Sequence, residues 1–160
     1  MLNKFEIKFN QYGFRKKKGI TLIELLIVLG IMGVVMFLSV PVFKPFLEYS
    51  RLKKDAWKLL SDLRWYRQLA IIDHNNYKFT FDISANSYKI DEHDAATNAY
   101  RQTLSTVALV NDITQATDAT FRPSGEAVPS SLIRIKGNKS TDLIDITIFS
   151  TTGLAKMVTP

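Results

Sequence analysis

The chain has 160 residues, a formal net charge of +6 and no cysteine. The lack of cysteine excludes disulfide bonds, CxxC redox pairs and thiolate metal sites. The length allows one modest globular domain once a leader and a membrane segment are set aside.

The excess of basic residues lies at the N-terminus. Residues 1–19 carry six cations and one carboxylate, whereas residues 20–160 carry 15 cations and 14 carboxylates. A nearly neutral body weakens a nucleic-acid interpretation that is based on overall charge.

Residues 1–19 show no repeated apolar pattern and are predicted to be a basic leader. An apolar run at residues 20–40 follows, and Glu24 is its only charge. As a helix this run would be about 31 Å long, which matches a bilayer core. The flanking cations predict a cytoplasmic N-terminus and an exported C-terminus. No small-residue cleavage site follows the run, so we expect it to be retained.

Helical periodicity continues after Pro41 and Pro45, which are predicted to kink or loosen the helix. An apolar stripe then recurs at helical spacing and predicts one helix from residue 20 to about 73. The stripe consists of Leu52, Ala56, Leu59, Leu60, Leu63, Tyr66 or Arg67, and Ala70.

After Asn76 the apolar period changes to two, which is typical of half-buried strands. Strands are predicted near residues 78–83, 88–90, 103–110, 120–122, 132–136, 142–150 and 154–158. Residues 91–101 are predicted to be a loop, and residues 111–119 are ambiguous. The fold class is therefore α+β, with a long N-terminal helix packed on a C-terminal antiparallel β-sheet domain.

Four segments follow from this pattern. They are a cytoplasmic leader that is cleaved (1–19), a transmembrane half of the helix (20–40), an amphipathic half (41–74) and a β-sheet globular domain (75–160).

Residues 19–29, which read GITLIELLIVL, resemble the processing site of type IV prepilins and of the pseudopilins of type II secretion. The resemblance implies cleavage after Gly19 by a prepilin peptidase and N-methylation of Ile20. It also implies a role for Glu24 in subunit assembly and a helix kink at Pro41. Ile20 stands where phenylalanine or methionine is usual, and the leader is long for the family.

The body of the chain is similar to the H-type minor pseudopilins and their FimT-like minor pilin relatives. The similarity lies in residues 63–70, 121–125 and 144–153. It implies a structural subunit that needs no cofactor, sits in the inner membrane with its C-terminal domain outside the cytoplasm, and then enters a filament. The implied partners are prepilin peptidase, other pilin or pseudopilin subunits, and an inner-membrane assembly platform with its ATPase.

A second interpretation remains open, because some FimT-like minor pilins bind DNA during natural transformation. They do so through a C-terminal Gly-Arg-x-Arg-like motif, and residues 153–156 here read GLAK, with one cation. Arg134, Lys136, Lys139 and Lys156 are the candidates for DNA contact. Salt-dependent binding would separate the two interpretations.

Glu24 is the most informative single residue. A carboxylate in hydrocarbon costs a few kcal/mol and usually has a partner and a role. Cleavage would create a cationic amine on Ile20, which Glu24 could neutralise on its own subunit or on a neighbour. The alternative is a solvated glutamate near the membrane interface.

The other polar clusters are predicted to be solvated surface groups without a catalytic or metal-binding role. Residues 91–94 (DEHD) are consecutive acids around one of only two histidines, and we predict a solvated loop and no metal site. No arrangement of nucleophile and base predicts catalysis. The basic residues at positions 44–67 are predicted mainly to form a solvated helix face, and contact with anionic lipid near Lys44 to Lys54 is the alternative.

Overall fold

The computed structural model describes residues 19–159, without the side chains of residues 39–42. Within these residues the chain forms one helix and nine strands. Helix α1 (Leu22–Asp73) is followed by β1 (Asn76–Asp82), β2 (Ser87–His93), β3 (Tyr100–Ala108), β4 (Asp112–Gln115), β5 (Ala119–Phe121), β6 (Ala127–Val128), β7 (Ser131–Lys136), β8 (Leu143–Ile148) and β9 (Ala155–Val158).

Local interactions determine where α1 begins and where it ends. Thr21 and Glu24 form a capping box at the start, in which the Glu24 N–H donates to Thr21 Oγ1 (3.3 Å) and the Thr21 N–H donates to Glu24 Oε2 (2.9 Å). At the end, His74 adopts a left-handed conformation with φ of 56°. A residue in that conformation cannot continue a right-handed helix, so α1 stops at Asp73.

The strands form two antiparallel sheets. The five-stranded sheet has the order β3-β2-β1-β5-β6, and the four-stranded sheet has the order β4-β7-β8-β9. The predicted fold class, a long helix packed on an antiparallel β-sheet domain, is confirmed. The strands do not form a simple meander, because β1 pairs with the distant β5 as well as with β2.

The prediction of a loop over residues 91–101 is wrong at both ends. Strand β2 continues to His93, and β3 begins at Tyr100. Polar side chains are tolerated there because β3 is an edge strand whose first four residues are all exposed. The ambiguous segment contains the short strand β4, which pairs with β7 across a register shift.

The core lies between the second half of α1 and both sheets. The predicted stripe is buried, and each of Leu52, Ala56, Leu59, Leu60, Leu63 and Ala70 is at most 2% exposed. Tyr66 is partly buried against the same cluster. The sheets contribute Phe79, Tyr88, Ile90, Phe121, Ile133, Ile135, Ile144, Ile146 and Ile148. One apolar face of the helix thus covers one face of each sheet.

The structure divides between Val40 and Pro41 into two compact units, and the core belongs to the second unit. Among the described residues, no single helix satisfies both the length and the apolarity needed to cross a bilayer. The segments Leu22–Leu38 and Phe43–Asp73 satisfy these requirements only as a pair.

Candidate functional site

The predicted cleavage junction is an accessible peptide. Gly19 and Ile20 precede the first residue of α1, and Ile20 is 80% exposed. A Cβ at position 19 would meet no atom within 4 Å, so this conformation leaves the glycine open to a peptidase. Cleavage there and methylation of Ile20 remain predictions.

Glu24 has a local partner that the sequence interpretation missed. Its Oε2 accepts hydrogen bonds from the N–H of Thr21 (2.9 Å) and from the Thr21 hydroxyl (3.1 Å). The signal was present in the sequence, because a threonine three residues before a glutamate at a helix start is a capping-box pattern. The cap holds the carboxylate at the first turn of α1, beside the predicted new N-terminus.

The first half of α1 exposes a continuous apolar surface. Large apolar side chains from Ile20 to Leu38 are between 48% and 81% exposed. Glu24 lies within this surface, where it lines an open groove of about 340 Å³ with Ile20, Ile27 and Val28. An apolar patch of this extent marks an interaction surface for lipid or protein.

The predicted kink at Pro41 is not tested. Residues 39–42 belong to α1, and their side chains lie outside the described part of the structure. The role of Pro41 stays a prediction.

Three of the four candidate DNA contacts share one face of the four-stranded sheet. Arg134, Lys136 and Lys156 alternate with buried residues of β7 and β9 and therefore point away from the core. Lys139 lies outside this group, in the turn between β7 and β8, where it lines a cavity with Arg51 of α1.

Carboxylates offset the charge of this face. Arg134 donates to Asp145 on β8 through Nε–Oδ1 and Nη2–Oδ2 hydrogen bonds, both 2.8 Å long. These hydrogen bonds hold the pKa of Asp145 below its usual value, so that its charge persists and cancels that of Arg134. Asp112 lies opposite Lys136 in the β4–β7 register. The face therefore carries little net positive charge.

The acidic segment 91–94 makes internal hydrogen bonds. Asp91 accepts from the Thr103 hydroxyl at 2.7 Å, and Glu92 accepts from the side chains of Asn75 (2.8 Å) and Gln102 (3.1 Å). No group of three potential metal ligands occurs within the part of the chain that the structure describes.

The three body segments that carry the resemblance meet at Arg67. Its Nε donates to the carbonyl oxygens of Gly125 (3.1 Å) and Thr152 (2.9 Å), which joins two turns to α1. Gly153 has a φ of +61°, and a Cβ there would meet the Gly125 carbonyl oxygen and the Arg67 side chain. Glycine is thus required where the second turn passes the first.

Comparison with known proteins finds similarity both in the N-terminal sequence and in the fold. A family model described as the prokaryotic N-terminal methylation motif matches residues 10–40. The fold is similar to that of the minor pseudopilin EpsH from the type 2 secretion system of Vibrio cholerae, with a TM-score of 0.53 and 15% identity over 69% of this chain and 98% of that chain. No protein with a curated description matches the sequence. The chain therefore combines the N-terminal methylation motif with a fold similar to that of a minor pseudopilin.

Proposed function

We propose that this protein is a minor pseudopilin or minor pilin of the H-type, FimT-like group, and that it is a structural subunit rather than an enzyme. The observation that carries the proposal is the contrast within α1. Its second half packs one apolar stripe into the domain core, whereas its first half bears the methylation motif and an exposed apolar surface. A subunit that joins a filament through one helix needs both properties.

In the proposed pathway the subunit is inserted in the membrane, processed, and then transferred to a filament. The chain first sits in the inner membrane with residues 1–19 in the cytoplasm and the β-sheet domain outside it. Prepilin peptidase then cuts between Gly19 and Ile20 and methylates Ile20. An assembly platform and its ATPase transfer the subunit to a type II secretion pseudopilus or a related pilus, where the first half of α1 packs against neighbouring subunits.

Glu24 is proposed to act as the charge that guides this transfer. Processing places a cationic amine four residues before it, on Ile20. The hydrogen bonds with Thr21 occupy Oε2, and Oε1 accepts none among the described residues. The carboxylate can therefore keep its cap while it neutralises the amine of an adjoining subunit, which removes two isolated charges from an apolar core.

Glu24→Gln separates this role from helix capping, because glutamine also serves in a capping box. We expect mass spectrometry to find N-methylated Ile20 at the start of the membrane-extracted wild-type protein. We expect Glu24→Gln to insert in the membrane but to lose filament incorporation by tenfold or more, as befits a charge pair in an apolar core. Thr21→Val, which removes the hydroxyl from the cap and keeps both the Glu24 charge and the backbone N–H donor of residue 21, is the matched control and should assemble.

Two results would contradict the proposal. One is a mature N-terminus other than methylated Ile20. The other is normal filament incorporation of Glu24→Gln, or a loss that Thr21→Val reproduces in full.

The DNA-binding alternative has weaker support, because Arg134 is paired with Asp145 and Lys136 faces Asp112. It predicts a gel shift of the detergent-solubilised full chain that weakens steeply with salt and is reduced in a Lys136→Gln/Lys156→Gln variant. We expect no such shift at physiological salt.

A further inference from the structure

A hydrogen-bond chain fixes the turn between β7 and β8 against α1. Asp55 Oδ2 accepts from Asn111 Nδ2 at 2.7 Å, and Asn111 Oδ1 accepts from the N–H of Asn138 at 3.3 Å. Asp55 and Asn111 are both buried, with exposures of 9% and 3%. Lys139 directly follows Asn138. These hydrogen bonds therefore set the position of the Lys139 backbone beside α1.

The docked turn completes a basic cavity. Lys139 lines an open space of about 360 Å³ with Lys44, Leu47, Glu48 and Arg51 of α1. Lys53 and Lys54 are exposed close by on the same helix. We call the five cations Lys44, Arg51, Lys53, Lys54 and Lys139 the basic collar.

The basic collar keeps its positive charge. None of its members forms an ion pair among the described residues, in contrast with Lys58, which pairs with Asp62 at 2.9 Å. The carboxylates nearby are Glu48, which lines the cavity, and Asp142, which belongs to the same turn as Lys139. Asp55 is occupied by the three donors of Val110 and Asn111. These donors are neutral and leave the charge of Asp55 in place, so five cations face three carboxylates and a net excess of two positive charges remains.

Exposed apolar side chains lie next to the collar on the side of the apolar run. Phe43, Phe46 and Leu47 are 59%, 67% and 52% exposed. Phe and Leu side chains beside Lys and Arg on one helix are typical of segments that lie at the boundary between hydrocarbon and headgroups. Arg51 follows Leu47 by four residues, which is about 6 Å along a helix and within the depth of a headgroup layer.

We propose that the basic collar binds the phosphates of anionic phospholipids at the outer surface of the inner membrane, and that this contact holds the domain on the bilayer before assembly. This inference rests on the proposed function, because only a membrane-inserted subunit brings the collar to lipid. Each Lys or Arg close to an anionic surface adds to the attraction, and the Debye length limits its range.

A single labelled cysteine tests the contact, since the chain has no other cysteine. Thr141 is exposed in the same turn as Lys139 and would carry a fluorophore as Thr141→Cys. The full chain is reconstituted in nanodiscs of phosphatidylcholine, alone or with phosphatidylglycerol, that contain a headgroup-attached quencher. With about 30% phosphatidylglycerol we expect roughly twofold stronger quenching, which is lost at about 0.5 M salt.

Variants identify the residues responsible. Arg51→Gln/Lys139→Gln should reduce quenching in phosphatidylglycerol discs to the level seen in phosphatidylcholine. Lys156→Gln removes an exposed cation from the outer face of the four-stranded sheet and should leave quenching unchanged. Circular dichroism of each variant verifies that the domain remains folded.

The outcomes separate the two proposals. Equal quenching in both lipids, or no difference between the double variant and the wild type, overturns the headgroup contact alone. A chain that does not copurify with the discs overturns membrane insertion, and with it the contact. Quenching that falls equally in Lys156→Gln shows a diffuse charge effect and overturns the assignment to the collar.

Discussion

The two halves of α1 both carry many apolar residues, but their surroundings are opposite. Leu26 and Phe37 in the first half are 55% and 81% exposed, whereas Leu59 and Leu63 in the second half are fully buried. The carboxylates differ in the same way. Among the described residues, the Glu24 side chain bonds only to Thr21, three positions away, whereas Asp55 accepts three hydrogen bonds from residues more than 50 positions away.

The second half of α1 buries its apolar stripe by folding, whereas the large apolar side chains of the first half stay exposed. In the second half, the apolar stripe packs against the two sheets, and the polar residues on the other faces of the helix remain in water. An apolar surface on all sides has no such arrangement within one chain. The proposed function assigns a folding role to the second half and an assembly role to the first, and substitutions in the two halves should therefore affect different measurements.

The largest expected difference comes from one truncation made in each half. Leu63→Ala removes a fully buried side chain and should lower the free energy of unfolding by about 2–5 kcal/mol. Leu26→Ala removes an exposed one and should leave domain unfolding unchanged. Urea denaturation of the detergent-solubilised chain, followed by near-ultraviolet circular dichroism, measures both. Equal losses would mean that the first half also supports the domain, contrary to the comparison.

The sequence predicts the individual helix and strands, but it says little about which distant strands pair. Helical spacing from Leu52 to Ala70 and alternation at Ile144, Ile146 and Ile148 each depend on neighbours in the chain, so that both were predictable. The pairing of β1 with β5 joins Tyr77 to Phe121, and no local pattern encodes such a partner. The start of β3 was missed because polar side chains are permitted on an edge strand. The end of β2 was missed because Asp91 and Glu92 find hydrogen-bond partners that lie far away in the sequence.

The same limit applies to the candidate site. The cleavage junction and Glu24 follow from a contiguous motif. Asp55 was hidden, because in sequence it looks like one more charge beside Lys53 and Lys54, and its partner Asn111 lies 56 residues away. Arg67 was equally uninformative until the two turns that it binds were placed beside it.

A second substitution compares the two carboxylates. Asp55→Ala leaves buried donors of Val110 and Asn111 without an acceptor and should lower the free energy of unfolding by roughly 3 kcal/mol. Asp55→Asn keeps one acceptor and should cost about half as much. Glu24→Ala should not alter domain unfolding in the same urea experiment. An unchanged free energy of unfolding in Asp55→Ala would show that water replaces the carboxylate and that these hydrogen bonds do not stabilise the domain.

The smallest expected effect lies away from the helix, at Arg134 and Asp145. Their hydrogen bonds lower the pKa of Asp145, so the pair stabilises the folded state above the ordinary aspartate pKa of 3.8, and this contribution is lost as pH falls through the lowered value. The wild type should therefore melt at a slightly higher temperature than Arg134→Gln from neutral pH down to about pH 5, and the gap should close as the pH falls below about 4. Lys136→Gln, which removes an exposed cation on the same strand, should show no such closure. If the gap instead persists at the lowest pH, the stabilisation comes from the packing of the Arg134 methylene groups on the sheet and not from its charge.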